Sequence, residues 1–116
     1  MNNNFDDIQK KIVAFRDARD WKQFHNPKDL ALSLVLEATE LLEHFQWKNE
    51  KQSLEHIKHK KTEIEDEIAD VLYWILLIAN DLDINLHQAS INKLAKNDMK
   101  YEISKAKGTS KKYTEL

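Results

Sequence analysis

With 116 residues, one Gly, one Pro and no Cys, the chain has the length of one domain and few of the residues that tight turns use. A strand-rich fold is therefore excluded in favour of helices, and the lack of Cys removes disulfides, thiolate zinc sites and a Cys nucleophile together. Against 20 acidic residues stand 18 basic ones, a formal net charge of −2, so whole-chain electrostatics gives no attraction to a nucleic acid polymer or an anionic membrane.

In chain order, Met1 to Asn4 followed by Asp6 and Asp7 lacks the basic start and apolar run of a signal peptide, which makes the cytoplasm the expected compartment. Phe5, Ile8, Ile12 and Phe15 recur at helical spacing and predict a first helix ending near Asp20. After a loop, Asn26-Pro27-Lys28-Asp29 is a helix start, with an amide cap, Pro at the first position and an acid in the first turn. The second helix is expected from Pro27 to Trp47, with a core stripe of Leu34, Ala38, Leu41, Leu42 and Phe45. Residues 48–61 are polar and read as a partly helical connection, so that Thr62 with Glu65 caps a third helix running to Leu82. Asn85 with Gln88 starts a fourth helix that ends between Met99 and Ile103. The domain is thus expected over residues 1–103 and a basic tail over 104–116. From Lys100 to Lys112 the chain carries five Lys against one Glu, a run that is usually solvated.

Of the twelve residues from Ile68 to Ala79, eleven are apolar or aromatic, the exception being Asp70. The uncharged part of this run, Val71 to Ala79, is far short of the about 20 residues that span a bilayer. A helix that is apolar nearly all round needs cover on every side, which points to a second subunit. On helical spacing Leu77 falls away from the stripe of Ile68, Leu72, Ile75 and Ala79, and so is expected at that subunit interface.

Glu37 and Glu40 stand one turn apart on the second helix, and Glu63, Glu67 and Asp70 form a stripe on the third. If the two helices pack antiparallel, Glu37, Glu40, Glu67 and Asp70 converge, and carboxylates about 4 Å apart repel by about 4 kcal/mol per pair at an effective dielectric near 20. An all-oxygen set suits a hard cation such as Mg²⁺, with Mn²⁺ as a substitute; the alternative is ordinary solvated helix surface. A di-iron carboxylate bundle needs Glu-x-x-His from two helices, and none occurs. His44, four residues after Glu40, and His59, four after Glu55, are expected to be solvated helix-face pairs. His25 is either a ligand-binding or a loop-packing residue. Trp21, Trp47 and Trp74 offer faces on which a base stacks, or serve the core. Lys93, Asn97 and Tyr101 share one face of the fourth helix, either for a ligand or for solvent.

Taken together, Trp21-Lys22-Gln23-Phe24-His25-Asn26-Pro27, then Glu37-x-x-Glu40 leading into Phe45-Gln46-Trp47, then Glu67-Ile68-Ala69-Asp70-Val71-Leu72, resemble the MazG-like all-α nucleoside triphosphate pyrophosphohydrolases. The likeness is nearest to the dCTP pyrophosphatase branch and continues through Lys93-x-x-x-Asn97-x-x-x-Tyr101 and Gly108 to Leu116. The resemblance implies a four-helix-bundle-type fold assembled as a dimer or a dimer of dimers. It implies cleavage of a nucleoside triphosphate between the α and β phosphates, giving a monophosphate and pyrophosphate. It also implies that Glu37, Glu40, Glu67 and Asp70 hold Mg²⁺ and carry catalysis, that Trp21 and Trp47 line the base pocket, and that Lys93 and Asn97 contact the nucleotide. The chain departs from the branch at Ile12, where a His is expected, and at Trp74, where a Tyr is expected; both bear on base preference and leave the acids intact.

A triphosphate is a polyanion, so four carboxylates bind it only if a cation reverses the local sign. His25, Trp74 and Tyr101 complete the expected substrate contacts, and Lys111 and Lys112 are candidates to close over the phosphates. The leading expectation is an Mg²⁺-dependent hydrolase of dCTP-like or modified deoxynucleotides, with an all-α dUTPase as runner-up. A non-catalytic helical interaction module, whose acids only solvate its surface, is the alternative from another class.

Overall fold

The computed structural model describes residues 5–116; residues 1–4, on which part of the N-terminal reading rests, lie outside the described residues. All regular structure among the described residues is helical: α1 (Phe5–Ala18), a 3-10 turn (Lys22–Phe24), α2 (Pro27–Glu43), α3 (Glu50–Asp81), α4 (Leu86–Lys100), the short α5 (Ile103–Ala106) and a last 3-10 turn (Tyr113–Glu115). Two compact units divide the chain, one ending at Asp83 and the other beginning at Ile84. Among the described residues no helix is long and apolar enough to cross a membrane.

In the first unit α3 is the spine, with α2 and α1 packed along it. Leu30 from α2 and Ile64, Leu76, Leu77 and Ala79 from α3 form its buried apolar core. The start of α2 is as the sequence predicts: Asn26 Oδ1 accepts from the Asp29 N–H at 2.9 Å while Asn26 Nδ2 donates to the Asp29 carboxylate at 2.7 Å.

The start of α3 is not. It begins at Glu50, twelve residues before Thr62, so the stretch expected to be a connection is the first third of a 32-residue helix. The capping box in use is Asn49 with Gln52: Asn49 Oδ1 accepts from the Gln52 N–H at 2.8 Å and Gln52 Oε1 from the Asn49 N–H at 2.9 Å. Polar residues extend the helix through exposed pairs of Glu55 with Lys58 and His59, and of Lys60 with Glu63, each worth a few tenths of a kcal/mol. The helix bends at Lys60, where φ is −122° and ψ 24°. No Pro or Gly stands there to explain the bend.

The usual C-terminal Gly is absent from the helix ends, and one of them, that of α2, departs from expectation. Asp20, Trp47 and Asp83 adopt left-handed φ values of 55°, 67° and 52° after α1, α2 and α3. α2 therefore stops at Glu43 rather than at Trp47, unwinding through Phe45 and Gln46, whose N–H groups both donate to Leu42 O at 2.9 Å. Asp is one of the residues that tolerates this conformation; Trp is not.

Among the described residues one charged side chain, Arg16, is fully buried. Its guanidinium Nη1 donates to Asp81 at 2.7 Å and its Nε to Asp17 at 3.2 Å, tying α1 to the end of α3. Burial alone raises the Asp81 carboxyl, but hydrogen bonds from Arg16 and Asn80 outweigh it and hold the carboxyl below its ordinary range. Gln9 Nε2 adds a second tie, donating to Leu76 O at 3.0 Å.

In the second unit, α4 begins where predicted, with Asn85 Oδ1 accepting from the Gln88 N–H at 3.0 Å, and ends at Lys100. The basic stretch beyond it contains α5 and a left-handed turn at Gly108, where φ is 80°. It returns to the end of α4: the Tyr113 ring meets Tyr101 edge-on at 6.1 Å and lies 4.8 Å from Lys100 Nζ.

Leu77, expected at a subunit interface, is instead wholly enclosed by its own chain, because α1 and α2 cover that face of α3. Leu77→Asp should therefore abolish folding rather than release folded monomers, and Leu77→Ala should cost about 2–5 kcal/mol in denaturant unfolding. Arg16→Ala should cost about 3–5 kcal/mol in the same measurement, because it strands the Asp81 carboxylate.

Candidate metal centre

α2 and α3 together build an acidic centre. One carboxylate oxygen each from Glu37, Glu67 and Asp70 lie within 4.8 Å of one another. Glu40 stands near this trio and contributes to raising the pKa of both Glu37 and Glu67. Glu63, the first acid of the α3 stripe, is directed elsewhere and pairs with Lys60 at 3.6 Å.

Crowding marks the titration of this group. Burial, reinforced by the Glu40 hydrogen bond and the charges of Asp70, Glu40 and Glu67, pushes Glu37 up to about 7. Glu67 is raised by burial and by Glu40, and Asp70 by burial and by the charges of Glu40 and Asp66. Glu37 Oε2 and Glu67 Oε2 are also buried without a hydrogen-bond partner. An orphaned buried carboxylate oxygen costs desolvation energy that a cation would recover. Clustered oxygen donors without nitrogen or sulfur fit a hard divalent ion such as Mg²⁺ or Mn²⁺.

The expected aromatic residues divide into two groups. Trp21, Phe15, Tyr73, Trp74 and His25 form a chain of edge-to-face contacts, with centroid separations of 5.8, 6.2, 5.1 and 5.4 Å in that order. Such rings are engaged with one another, and Arg19 lies 3.7 Å over Phe15. Trp47 differs: it is 92% exposed and held at the left-handed turn after α2. His25 lines a cleft of about 310 Å³ with Lys22, Asn26, Leu30, Asn80 and Asp81. Asp81 is eleven residues beyond Asp70, roughly 16 Å along the helix, so this cleft lies at the far end of α3 from the acids. His25 Nδ1 is buried without a partner, and burial followed by the charge of Arg16 lowers its pKa.

Lys93, Asn97 and Tyr101 lie along α4 and at its cap, Asn97 half-buried and the other two exposed. Lys111 and Lys112 are exposed in the last turns of the second unit, where the Lys111 N–H donates to Thr109 Oγ1 at 3.3 Å.

Two features escaped the sequence reading. Arg16 continues the Ile8–Ile12 stripe by one turn, and a charge on an apolar face calls for a buried partner, which a search for acids on α3 would have supplied. His44 pairs not with Glu40 but with His56 on α3, Nδ1 to Nε2 at 2.9 Å. No short-range pattern signals that pair, because twelve residues and a turn separate the two.

An α-helical hairpin that gathers carboxylates from two Glu/Asp pairs defines an all-helical protein with a candidate cation site. A MazG-like family model matches residues 32–116, and the chain belongs to that family. It is 34% identical over 113 residues to a dCTP pyrophosphatase 1 from Mus musculus, covering 96% of this chain and 66% of that protein. The corresponding protein of Homo sapiens is likewise 34% identical, with the same coverage. The chain thus spans just under two thirds of the length of these curated relatives. A crystal structure of a pyrophosphatase from Archaeoglobus fulgidus DSM 4304 shares the fold with a TM-score of 0.82 at 37% identity, over 88% of this chain and 95% of that one.

The raised carboxyls give the metal-free protein a defined pH dependence. Glu37 binds its proton more tightly folded (about 7) than at its ordinary 4.5, so the stabilisation is complete below pH 4.5 and is lost as pH rises through 7. Thermal melting in chelator should show stability falling between pH 5 and about 8. Saturating Mg²⁺ should flatten that slope, since a bound cation favours the ionised carboxylates. Trp47→Gly should raise denaturant stability by about 1 kcal/mol, because it relieves a left-handed Trp that buries almost nothing.

Proposed function

We propose that the protein is a divalent-metal-dependent nucleoside triphosphate pyrophosphohydrolase that cleaves between the α and β phosphates, with dCTP-like or modified pyrimidine deoxynucleotides as substrates. The observation that carries this reading is the convergence of Glu37, Glu67 and Asp70, with two buried oxygens unpartnered, in a chain of the MazG-like family. The names of its relatives from Mus musculus and Homo sapiens, both dCTP pyrophosphatases, support the substrate class.

Glu37, Glu40, Glu67 and Asp70 would hold Mg²⁺, or Mn²⁺ in its place. When bound, the ion supplies positive charge for the triphosphate and the pyrophosphate leaving group and acidifies the attacking water. The remaining tasks fall to the chain itself. One of these four carboxylates, left free of the ion, would take the water's proton. Trp47 offers an open ring face on which a base stacks, and stacking of this kind contributes about 1–3 kcal/mol. Trp21, Trp74 and His25 would shape the pocket from within their ring network. Substrate contacts by Lys93, Asn97, Tyr101, Lys111 and Lys112 rest on the family resemblance.

The working form is a homo-oligomer, a dimer or a dimer of dimers. Leu32, Val35 and Leu36, at one-turn spacing on α2, are each more than half exposed, as is Ile68 on α3. Apolar side chains grouped in this way are the usual mark of a surface covered by another subunit.

Incubation with Mg²⁺ and a panel of deoxynucleoside triphosphates should release pyrophosphate and the monophosphate, fastest from a pyrimidine substrate. Glu37→Gln, Glu40→Gln, Glu67→Gln and Asp70→Asn should each lower kcat by at least about a hundredfold without loss of folding. Inorganic phosphate as product would place the cleavage elsewhere in the triphosphate. A panel without any turnover would leave the helical interaction module as the better reading.

A further inference from the structure

We propose that His44 and His56 form a binding site for a borderline transition-metal ion, Zn²⁺ being the representative, separate from the carboxylate centre. His44 Nδ1 and His56 Nε2 face each other at 2.9 Å, and the two rings, 5.2 Å apart by centroid, are inclined at 47°. Each comes from a separately fixed element. His44 is the cap residue of α2, where its N–H is bonded to Leu41 O and Leu42 O, and His56 sits within the second turn of α3. Both are partly buried, and Phe45 packs against both rings at 6.3 Å. The donor nitrogens are therefore held together before any ion arrives, which lowers the ordering cost of binding.

The donor chemistry differs from that of the acids. Two imidazole nitrogens suit Zn²⁺, Ni²⁺ or Cu²⁺, whereas Mg²⁺ prefers oxygen. Burial, then the charges of Lys48, His44 and Lys60, hold the His56 pKa below its ordinary value, so its ring is neutral at physiological pH and its lone pair is available. In the free protein one ring nitrogen donates a proton to the other. Binding requires that proton to leave the shared position; it moves through solvent to the other nitrogen of the same ring, so the neutral pair loses no net proton. Water completes the coordination. Negative potential for the cation comes from Glu63, whose charge acts on His56.

Imidazole ¹H–¹⁵N spectra of the full chain during a Zn²⁺ titration test this directly. The His44 and His56 nitrogens should shift together and saturate at one equivalent, while His59 and His87 stay in place. His56→Ala should weaken Zn²⁺ binding at least about tenfold and abolish the response of His44, on the scale of losing one metal-directed group. Glu67→Gln should leave the histidine response intact, which separates this site from the carboxylate centre and from the activity proposed above. Unmoved His44 and His56 resonances, with Zn²⁺ uptake lost in Glu67→Gln, would overturn the proposal. A parallel drift of all the histidines would overturn it too, as adventitious surface binding. Because the readout in the unsubstituted protein does not depend on a variant folding, it decides the matter even if His56→Ala is unstable.

Discussion

Four carboxylates held within reach of one another are the costliest arrangement in this protein, and the packing of α2 against α3 keeps them there. Each acid lies on a helix whose position is set by burial elsewhere: Leu30 anchors α2, while Ile64, Leu76, Leu77 and Ala79 anchor α3. The acids occupy the middle of this hairpin, between the buried end near Leu30 and the open end at the turn. They cannot separate without disturbing the hairpin, so burial first and mutual repulsion second appear as raised pKa values. Under the proposed function this is preorganisation in its electrostatic sense, an unfavourable arrangement that a bound cation would relieve.

The Arg16–Asp81 pair has a related part at the opposite end of α3. It fixes α1 across the end of the spine, and with α1 come Phe15 and the rings of Trp21 and Tyr73 that meet it. A buried ion pair is weak evidence of stability in itself, since two apolar residues would often serve as well. Its directional hydrogen bonds, however, admit one register of α1 on α3. The aromatic chain from Trp21 to His25 inherits that register, so the loop before α2 is positioned by a charge pair in which it takes no part.

Much of this was legible in the sequence, and for a physical reason. The acids obey helical spacing on two helices, so their convergence required only that those helices pack antiparallel, which a short polar turn imposes. The caps at Asn26 and Asn85 are local side-chain-to-backbone bonds and can be read within four residues. What was illegible depends on longer range or on missing residues. The polarity of residues 48–61 resembles a loop, but the Asn49–Gln52 box and exposed ion pairs make it helix. An idealised stripe turns Leu77 outward, whereas packing of α1 and α2 on α3 leaves it wholly buried. The end of α2 falls four residues before the expected Trp47, with no Gly to signal it, whereas the ends of α1, α3 and α4 lie within two residues of expectation.

Trp47 brings these threads together. A helix that ends without Gly still needs a left-handed residue to turn the chain, and Asp supplies it at two of the three ends in the first unit at modest cost. The third end carries the largest side chain available, with 92% of its surface exposed, at the turn where burial contributes nothing to offset the strain. Folding alone gives no reason for that choice, since Asn, Asp or Gly would close the same turn more favourably. Residues that violate local preference without a structural return are concentrated where ligands bind. The left-handed turn also sets the direction in which the indole leaves the backbone, and it does so at the end of the helix that presents Glu37 and Glu40. The indole stands on the turn that follows α2, four residues beyond the last residue of the helix that carries Glu37 and Glu40. Under the proposed function, a ligand with a planar ring at one end and phosphates at the other would use both indole and carboxylates.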